Sequence, residues 1–272
     1  MNIHTISLIG KRESNEDQHI VFPNSDGRDP KLAPVNVFCI FDGHGGNKVS
    51  KYLREHLFPY LVHPNLTYPL SKLYINKVYN RLQNTLATKF PKMSEHCGST
   101  CLVAIHFKKN GQEYIQVINV GDCRAVLNRD NIAIPLTRDH KPNWVNEKTR
   151  ITQIGGADKM YYDGVDWRVC DLSVSRAFGD VSATPYVTHN PDIFRYKSNK
   201  NDKFLILACD GLWDVLSNDD AVHFVLEQMC YDKSGKKMVC ADKRKNVAKS
   251  LAEHAIKKGS TDNITVILVF LR

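Results

Sequence analysis

Val35-Asn-Val-Phe-Cys-Ile-Phe41 runs straight into Asp42-Gly43, and Phe204-Leu-Ile-Leu-Ala-Cys209 runs straight into Asp210-Gly211. Each is an apolar run of strand length, rich in Val, Ile, Leu and Phe, closed by an acid and a glycine. A strand this apolar is expected to be buried, so a carboxylate at its end must be solvated, paired or bound to a cation. A glycine beside it lets the backbone approach a ligand closely. Two more acids border apolar runs: Asp122 follows Val117-Ile-Asn-Val-Gly121, and Asp262-Asn263 precedes Ile264-Thr-Val-Ile-Leu-Val269.

If these strands lie side by side, the four acids converge at one rim of the sheets although they span most of the chain. Convergent carboxylates without Cys or His ligands select hard cations such as Mg2+ or Mn2+. His44, inside Asp42-Gly43-His44-Gly45-Gly46, lies two residues from one such acid in a flexible loop, where a proton donor near a metal competes with an ordinary surface histidine. The glycines there match neither G-x-G-x-x-G nor G-x-x-x-x-G-K-[ST], so nucleotide binding is not indicated. Gly10-Lys-Arg12-Glu-Ser-Asn-Glu16-Asp17 follows the strand-like Ile3–Ile9 and by itself reads as a solvated turn.

Outward from these motifs, further strand-like runs cover Cys101–Phe107 and Tyr114–Val120. Helical spacing marks Lys48–Leu61 and Leu70–Phe90. Ser217 with Asp220 forms a capping-box pattern for a helix running to about Met229. Several strands follow one another between Gly98 and Leu136 with no room for crossover helices, so the sheet is at least partly antiparallel and a Rossmann fold is disfavoured. No repeat or long linker divides the chain. Pro23–Pro34 reads as an insertion between strands, and residues 1–272 as one domain.

The chain has 272 residues, with 37 basic and 29 acidic ones giving a net charge of +8. That suits a globular protein with a sizeable core. No apolar stretch approaches the ~20 residues needed to span a bilayer, and Met1–Gly10 has no secretory pattern. An intracellular, non-secreted protein with reduced cysteines is expected. Its eight cysteines contain no C-x-x-C pair, which argues against a zinc ribbon, and Cys39 and Cys209 read as core. Asp232–Lys258 carries nine Lys or Arg against three acids, and Val247, Leu251 and Ala255 give it a helical stripe. That predicts a solvated basic face. No motif for nucleic acid accompanies it, although Lys233–Lys258 could dock an acidic partner.

Taken together, the strings resemble the metal-dependent serine/threonine protein phosphatases of type 2C. The resemblance rests on Gly10-Lys-Arg-Glu-Ser-Asn-Glu-Asp17, Phe41-Asp-Gly-His-Gly-Gly46, Gly98-Ser-Thr100, Asn119-Val-Gly-Asp-Cys-Arg-Ala-Val-Leu127 and Asp139-His-Lys-Pro142. It continues through Gly155-Gly156, Leu172-Ser-Val-Ser-Arg-Ala-Phe-Gly-Asp180, Ala208-Cys-Asp-Gly-Leu-Trp-Asp214 and Gly259-Ser-Thr-Asp-Asn-Ile-Thr-Val266. It implies an α+β fold: a four-layer α/β/β/α sandwich of two mainly antiparallel sheets flanked by helices. It also implies a centre of two Mn2+ or Mg2+ ions, with Asp42 bridging both, Asp210 and Asp262 holding one, and Glu16 with the Gly43 carbonyl serving the other. By the same resemblance Asp17 orients metal-bound water, and Asp122 with Asp210 serves a more weakly bound third ion. Arg12 would grip the substrate phosphate, and His44 would be the general acid. The implied reaction is hydrolysis of phosphoserine or phosphothreonine in proteins by a metal-bridging hydroxide.

Departures from the family pattern are Cys123, where serine is frequent, the stretch between Gly156 and Leu172, and a short Val181–Thr184. The latter two stretches are expected to line the approach to the site. Two other readings compete. Cys123 with Arg129 and Cys170 with Arg176 satisfy C-x5-R, as in cysteine-dependent phosphatases, but the intervening residues lack the glycines that fold backbone N–H groups around phosphate. The other is a phosphatase-like scaffold that binds phosphoproteins with little or no activity.

Overall fold

In Val35–Phe41 every residue is buried, and alternate side chains serve different cores. Val35, Val37, Cys39 and Phe41 pack with Leu53, Leu57, Val78 and Leu82 of two helices, whereas Phe38 and Ile40 pack with Leu205, Leu207, Ile267 and Val269 of an opposing sheet. The strand Asp202–Ala208 divides in the same way. Its Leu205 and Leu207 face the inter-sheet core, and Phe204, Ile206 and Ala208 pack with Val222, Val225, Leu251 and Ala255. A strand covered on both faces needs no polar side, which is why these runs lack polar alternation.

The computed structural model describes residues 1–24, 34–231, 237–238 and 246–271. The first five-stranded sheet is ordered Asn2–Leu8, Ile264–Phe270, Asp202–Ala208, Arg124–Arg129, Ile132–Pro135. The second is ordered Asp192–Lys197, Gln112–Val120, Cys101–Lys109, Val35–Phe41, Gln18–Pro23. Every pairing in both sheets is antiparallel. Helices Lys48–Leu61 and Lys72–Lys89 cover the second sheet; Asn218–Glu227 and Val247–Lys257 cover the first. The result is the four-layer α/β/β/α sandwich. Emptying one inter-sheet position, Phe38→Ala, would cost about 3–5 kcal/mol.

The capping box forms as read. Ser217 Oγ accepts from Asp220 N at 3.1 Å and Ser217 N donates back to Asp220 Oδ2 at 3.2 Å, so aspartate performs the reciprocal role usually given to glutamate. That helix ends at Glu227, two residues short of the expected end. Val247, Leu251 and Ala255 are buried, as their spacing predicts. Among the described residues no helix is long and apolar enough to cross a membrane. Residues 25–33 of the expected Pro23–Pro34 insertion lie outside the described residues. So do 232–236 and 239–245 of the basic segment.

The topology carries the acids to one rim. Val35–Phe41 and Gln112–Val120 are both antiparallel to Cys101–Lys109, so they run the same way and end at the same edge, delivering Asp42 and Asp122. In the first sheet Ala208 pairs with Arg124 and with Val266, which places the end of one strand beside the starts of two others. Asp210 and Asp262 thereby join the same rim.

Candidate metal centre

A cleft of about 670 Å3 opens at that rim, and Arg12, Glu16, Asp42, Gly43, His44, Asp122, Asp210 and Asp262 all line it. Of the residues read from the sequence, Asp17 alone does not; it is buried beside Thr265. Asp42, Asp122 and Asp210 each offer an oxygen within 4.8 Å of the others, and Asp17, Asp42 and Cys209 form a second such group. Cys209 amends the expectation of a cluster without sulfur. Its thiol accepts from Thr265 N at 3.2 Å and donates to Asn263 O at 3.4 Å, and burial keeps it well above its usual pKa, so it packs as a neutral group.

Local backbone holds these acids in place. Asp42 N donates to Thr100 Oγ1 at 3.0 Å and Thr100 N donates to Asp42 O at 2.9 Å. Gly43 has no alternative, because a Cβ there would come within 2.5 Å of Glu16 O. Glu16 is fixed from both ends, its N–H on Asn263 Oδ1 at 2.9 Å and its Oε2 accepting from Gly46 N at 3.0 Å.

The electrostatics are those of a site missing positive charge. Burial, then the charges of Asp210, Asp17 and Asp122, pushes the Asp42 carboxyl well above the carboxylate range. Burial, then Asp122 and Asp214, does the same to Asp210. Asp17 is raised to about 6, chiefly by burial. Its Oδ2 accepts from Thr265 Oγ1 at 2.6 Å, but its buried Oδ1 has no partner. Only two side-chain cations pair with the acids of this cluster among the described residues: Lys141 Nζ on Asp122 Oδ2, and Arg12 Nη2 on Asp262 Oδ2 at 2.6 Å. An all-oxygen donor set, an orphaned buried carboxylate oxygen and uncompensated negative charge fit hard divalent cations.

Three participants were not singled out from the sequence. Lys141 keeps a raised pKa although burial opposes it, because Asp122 and Asp210 favour its charge. Asp214 is raised to about 6, first by burial. Asp180 Oδ2 lies 2.7 Å from His44 Nε2. Burial works against the His44 imidazolium, yet the hydrogen bond and charge of Asp180 more than offset it and raise the pKa. A Cβ on Gly98 would fall 2.0 Å from Asp180 Oδ2, so glycine there is what lets this pair form. All three lie inside strings quoted above, but only the fold reveals what they face.

Of the two stretches expected to line the approach, one does. Arg168, Asp171 and Leu172 border the cleft. Val181–Ala183 instead braces a wall from behind, with Ser182 Oγ donating to Glu95 O at 2.6 Å. The C-x5-R reading loses its chemistry. Cys123 is buried between the sheets with its thiol pushed well above its usual value, first by burial, and Arg129 is engaged by Asp202 at 2.7 Å. Arg176 is engaged by Glu147 at 2.6 Å and Asp192 at 3.0 Å.

A family model described as Protein phosphatase 2C matches residues 3–264. The chain belongs to the protein phosphatase 2C family. That makes it an enzyme of the serine/threonine protein phosphatase class. Among its relatives, Probable protein phosphatase 2C 69 of Arabidopsis thaliana is 39% identical over 265 residues, covering 97% of this chain and 68% of that protein. Probable protein phosphatase 2C 71 of the same plant is 38% identical over 265 residues, and the chain spans 54% of its length. A PP2C-like domain-containing protein of Acanthamoeba polyphaga mimivirus is 48% identical over 170 residues, 58% of this chain and 95% of that one. Among solved structures, a C. elegans sex determining protein superimposes with TM-score 0.84 at 25% identity, over 100% of this chain and 65% of that chain. A Toxoplasma gondii phosphatase matches in fold, with TM-score 0.77 at 24% identity over 98% of this chain and 92% of that chain.

Proposed function

We propose that residues 1–272 form one catalytic domain that hydrolyses phosphoserine and phosphothreonine in protein substrates with two Mn2+ or Mg2+ ions, and a more weakly held third. The observation that carries this reading is the uncompensated acid cluster on the floor of an open cleft with Arg12 at its edge. Asp42 would be shared between the two ions. Asp210 and Asp262 would hold one, and Glu16 and the Gly43 carbonyl the other; Asp122 with Asp210 would serve the third. When bound, the ions lower the pKa of coordinated water towards neutrality and draw off charge from phosphoryl oxygens.

The chain's own groups supply the rest. Arg12 has a side chain 60% exposed and a planar guanidinium suited to two phosphate oxygens. Its one ion-pair partner among the described residues, Asp262, is among the residues that would hold a metal, which would leave the guanidinium for phosphate. Asp17, buried behind the cleft with its Oδ1 lacking a protein partner, would orient metal-bound water from beneath. His44 has Nε2 engaged by Asp180, so the ring proton it can give to the departing seryl or threonyl oxygen is the one on Nδ1. No side chain becomes phosphorylated in this scheme. An intracellular setting suits Cys39, Cys97, Cys101, Cys123, Cys170 and Cys209, all of them free.

The test is phosphate release from a phosphothreonine peptide with Mn2+ or Mg2+, with excess EDTA, and with Asp210→Asn. Turnover that needs the metal and is lost in the variant supports the reading. EDTA-resistant turnover would overturn it, and absence of turnover by folded, metal-loaded protein would favour the phosphoprotein-binding scaffold.

A further inference from the structure

A second cavity of about 330 Å3 adjoins the cleft, sharing with it Ser14, Glu16, Gly45 and His96. Lys48 and Lys92 are among its lining residues, both exposed, and neither forms an ion pair among the described residues. Its one carboxylate, Glu16, also lines the cleft and accepts from Gly46 N, and two lysines stand against it in the lining. The His96–Cys97 part of its lining is braced from the chain around Asp180 and Ser182. Ser182 N and Oγ both donate to Glu95 O, Ser182 Oγ lies 3.1 Å from His96 Nδ1, and Asp180 N donates to Cys97 O at 3.2 Å.

Lys48 is also the wrong residue for the stability of its own helix. It opens Lys48–Leu61, whose first turn contains no acid and whose N-cap residue Asn47 makes no side-chain capping bond. A cation at that end opposes the helix dipole, so folding gives no reason to keep it. Local rules broken without structural gain are expected where a site needs the charge. The two unpaired lysines favour an anion in this cavity.

We infer that the Lys48–Lys92 cavity is a subsite for an anionic side chain, carboxylate or second phosphate, next to the phosphoresidue being hydrolysed. The enzyme then prefers acidic or multiply phosphorylated segments of its protein substrates. This rests on the phosphatase reading and adds a substrate class to it. The subsite does no chemistry; it raises the fraction of time the scissile phosphate spends in the cleft, so its effect falls on KM for peptides and not on small esters.

The experiment compares phosphothreonine peptides with neutral flanks, with Asp or Glu scanned through the flanking positions, and with phosphoserine at the same positions, alongside p-nitrophenyl phosphate. Each is assayed with wild type, Lys48→Ala/Lys92→Ala and Lys48→Glu/Lys92→Glu. Wild type should favour the anionic flank by about tenfold in kcat/KM, through KM, and the preference should vanish in the alanine pair and reverse in the glutamate pair. The small ester should change less than about twofold, and Lys48→Glu should melt no lower than wild type. A larger effect of phosphoserine than of Asp or Glu would assign the subsite to phosphate, and an equal effect to anions in general. Wild type that hydrolyses neutral and anionic peptides equally, or a preference that survives in both double variants, overturns the subsite and leaves the phosphatase reading standing. No turnover of any ester would overturn that reading and the subsite with it.

Discussion

At Glu147 a buried carboxylate meets two arginines; at Asp42 a half-buried one meets further carboxylates. Glu147 accepts from Arg176 Nη2 at 2.6 Å, Arg150 Nη2 at 2.9 Å and Ser175 Oγ at 2.8 Å. Although burial raises its pKa, those partners bring it down to about 2. The network continues through Asp192, which pairs with Arg176 and lies 3.2 Å from His140 Nε2, while His140 Nδ1 accepts from Gly121 N beside Asp122. Asp42 and Asp210 have gone the opposite way, held high first by burial and then by neighbouring carboxylates, Asp210 foremost for Asp42 and Asp122 for Asp210. A charge cluster closed on itself stabilises the fold. One left open stores repulsion that a bound proton or an added cation relieves, and that difference separates scaffold from site more sharply than burial does.

Substitutions at the two clusters should have opposite signs. Asp210→Asn should lower metal-dependent phosphate release by roughly 10³-fold or more, while leaving the metal-free protein no less stable. Glu147→Ala should cost about 3–5 kcal/mol in denaturant unfolding, because it strands two arginine contacts in the interior. Equal destabilisation by both would erase the distinction. His44→Asn should reduce turnover by about 10²-fold for substrates with poor leaving groups and much less for p-nitrophenyl phosphate, which needs no proton. The acid limb of stability should also follow Glu147. Its folded pKa is depressed from 4.5 to about 2, so its contribution is complete above pH 4.5 and lost as pH falls towards 2. Glu147→Gln should flatten the loss of stability across that window, and an unchanged acid limb would contradict the assignment. Smallest of all, Cys123→Ser should shift stability by about 1 kcal/mol or less and leave turnover intact, since the serine hydroxyl inherits the contact to Thr100 Oγ1 at 3.1 Å.

Sequence alone exposed the elements with the strongest local pattern. The mainly apolar strands Val35–Phe41 and Ile264–Phe270, the helix from Lys48 to Leu61 and the Ser217 cap could all be read, as could the acids that border those strands. The edge strands Gln18–Pro23 and Asp192–Lys197 escaped, being partly exposed and broken by polar residues that blur the alternation. Lys141, Asp180 and Glu147 were illegible for a different reason. Their deciding partners lie 19, 136 and 29 residues away, and although Arg150 stands one helical turn from Glu147, no local spacing encodes the distant contacts.

The most direct measurement is thermal unfolding of wild type and Asp42→Asn, each in EDTA and in saturating Mn2+. If Asp42 sits in an open acidic cluster made to be closed by cations, Asp42→Asn will melt at or above wild type in EDTA. Mn2+ will then raise wild type by several degrees and the variant by far less, so that the order reverses. A variant that melts below wild type in EDTA, or a wild type that Mn2+ leaves unmoved, would contradict the account.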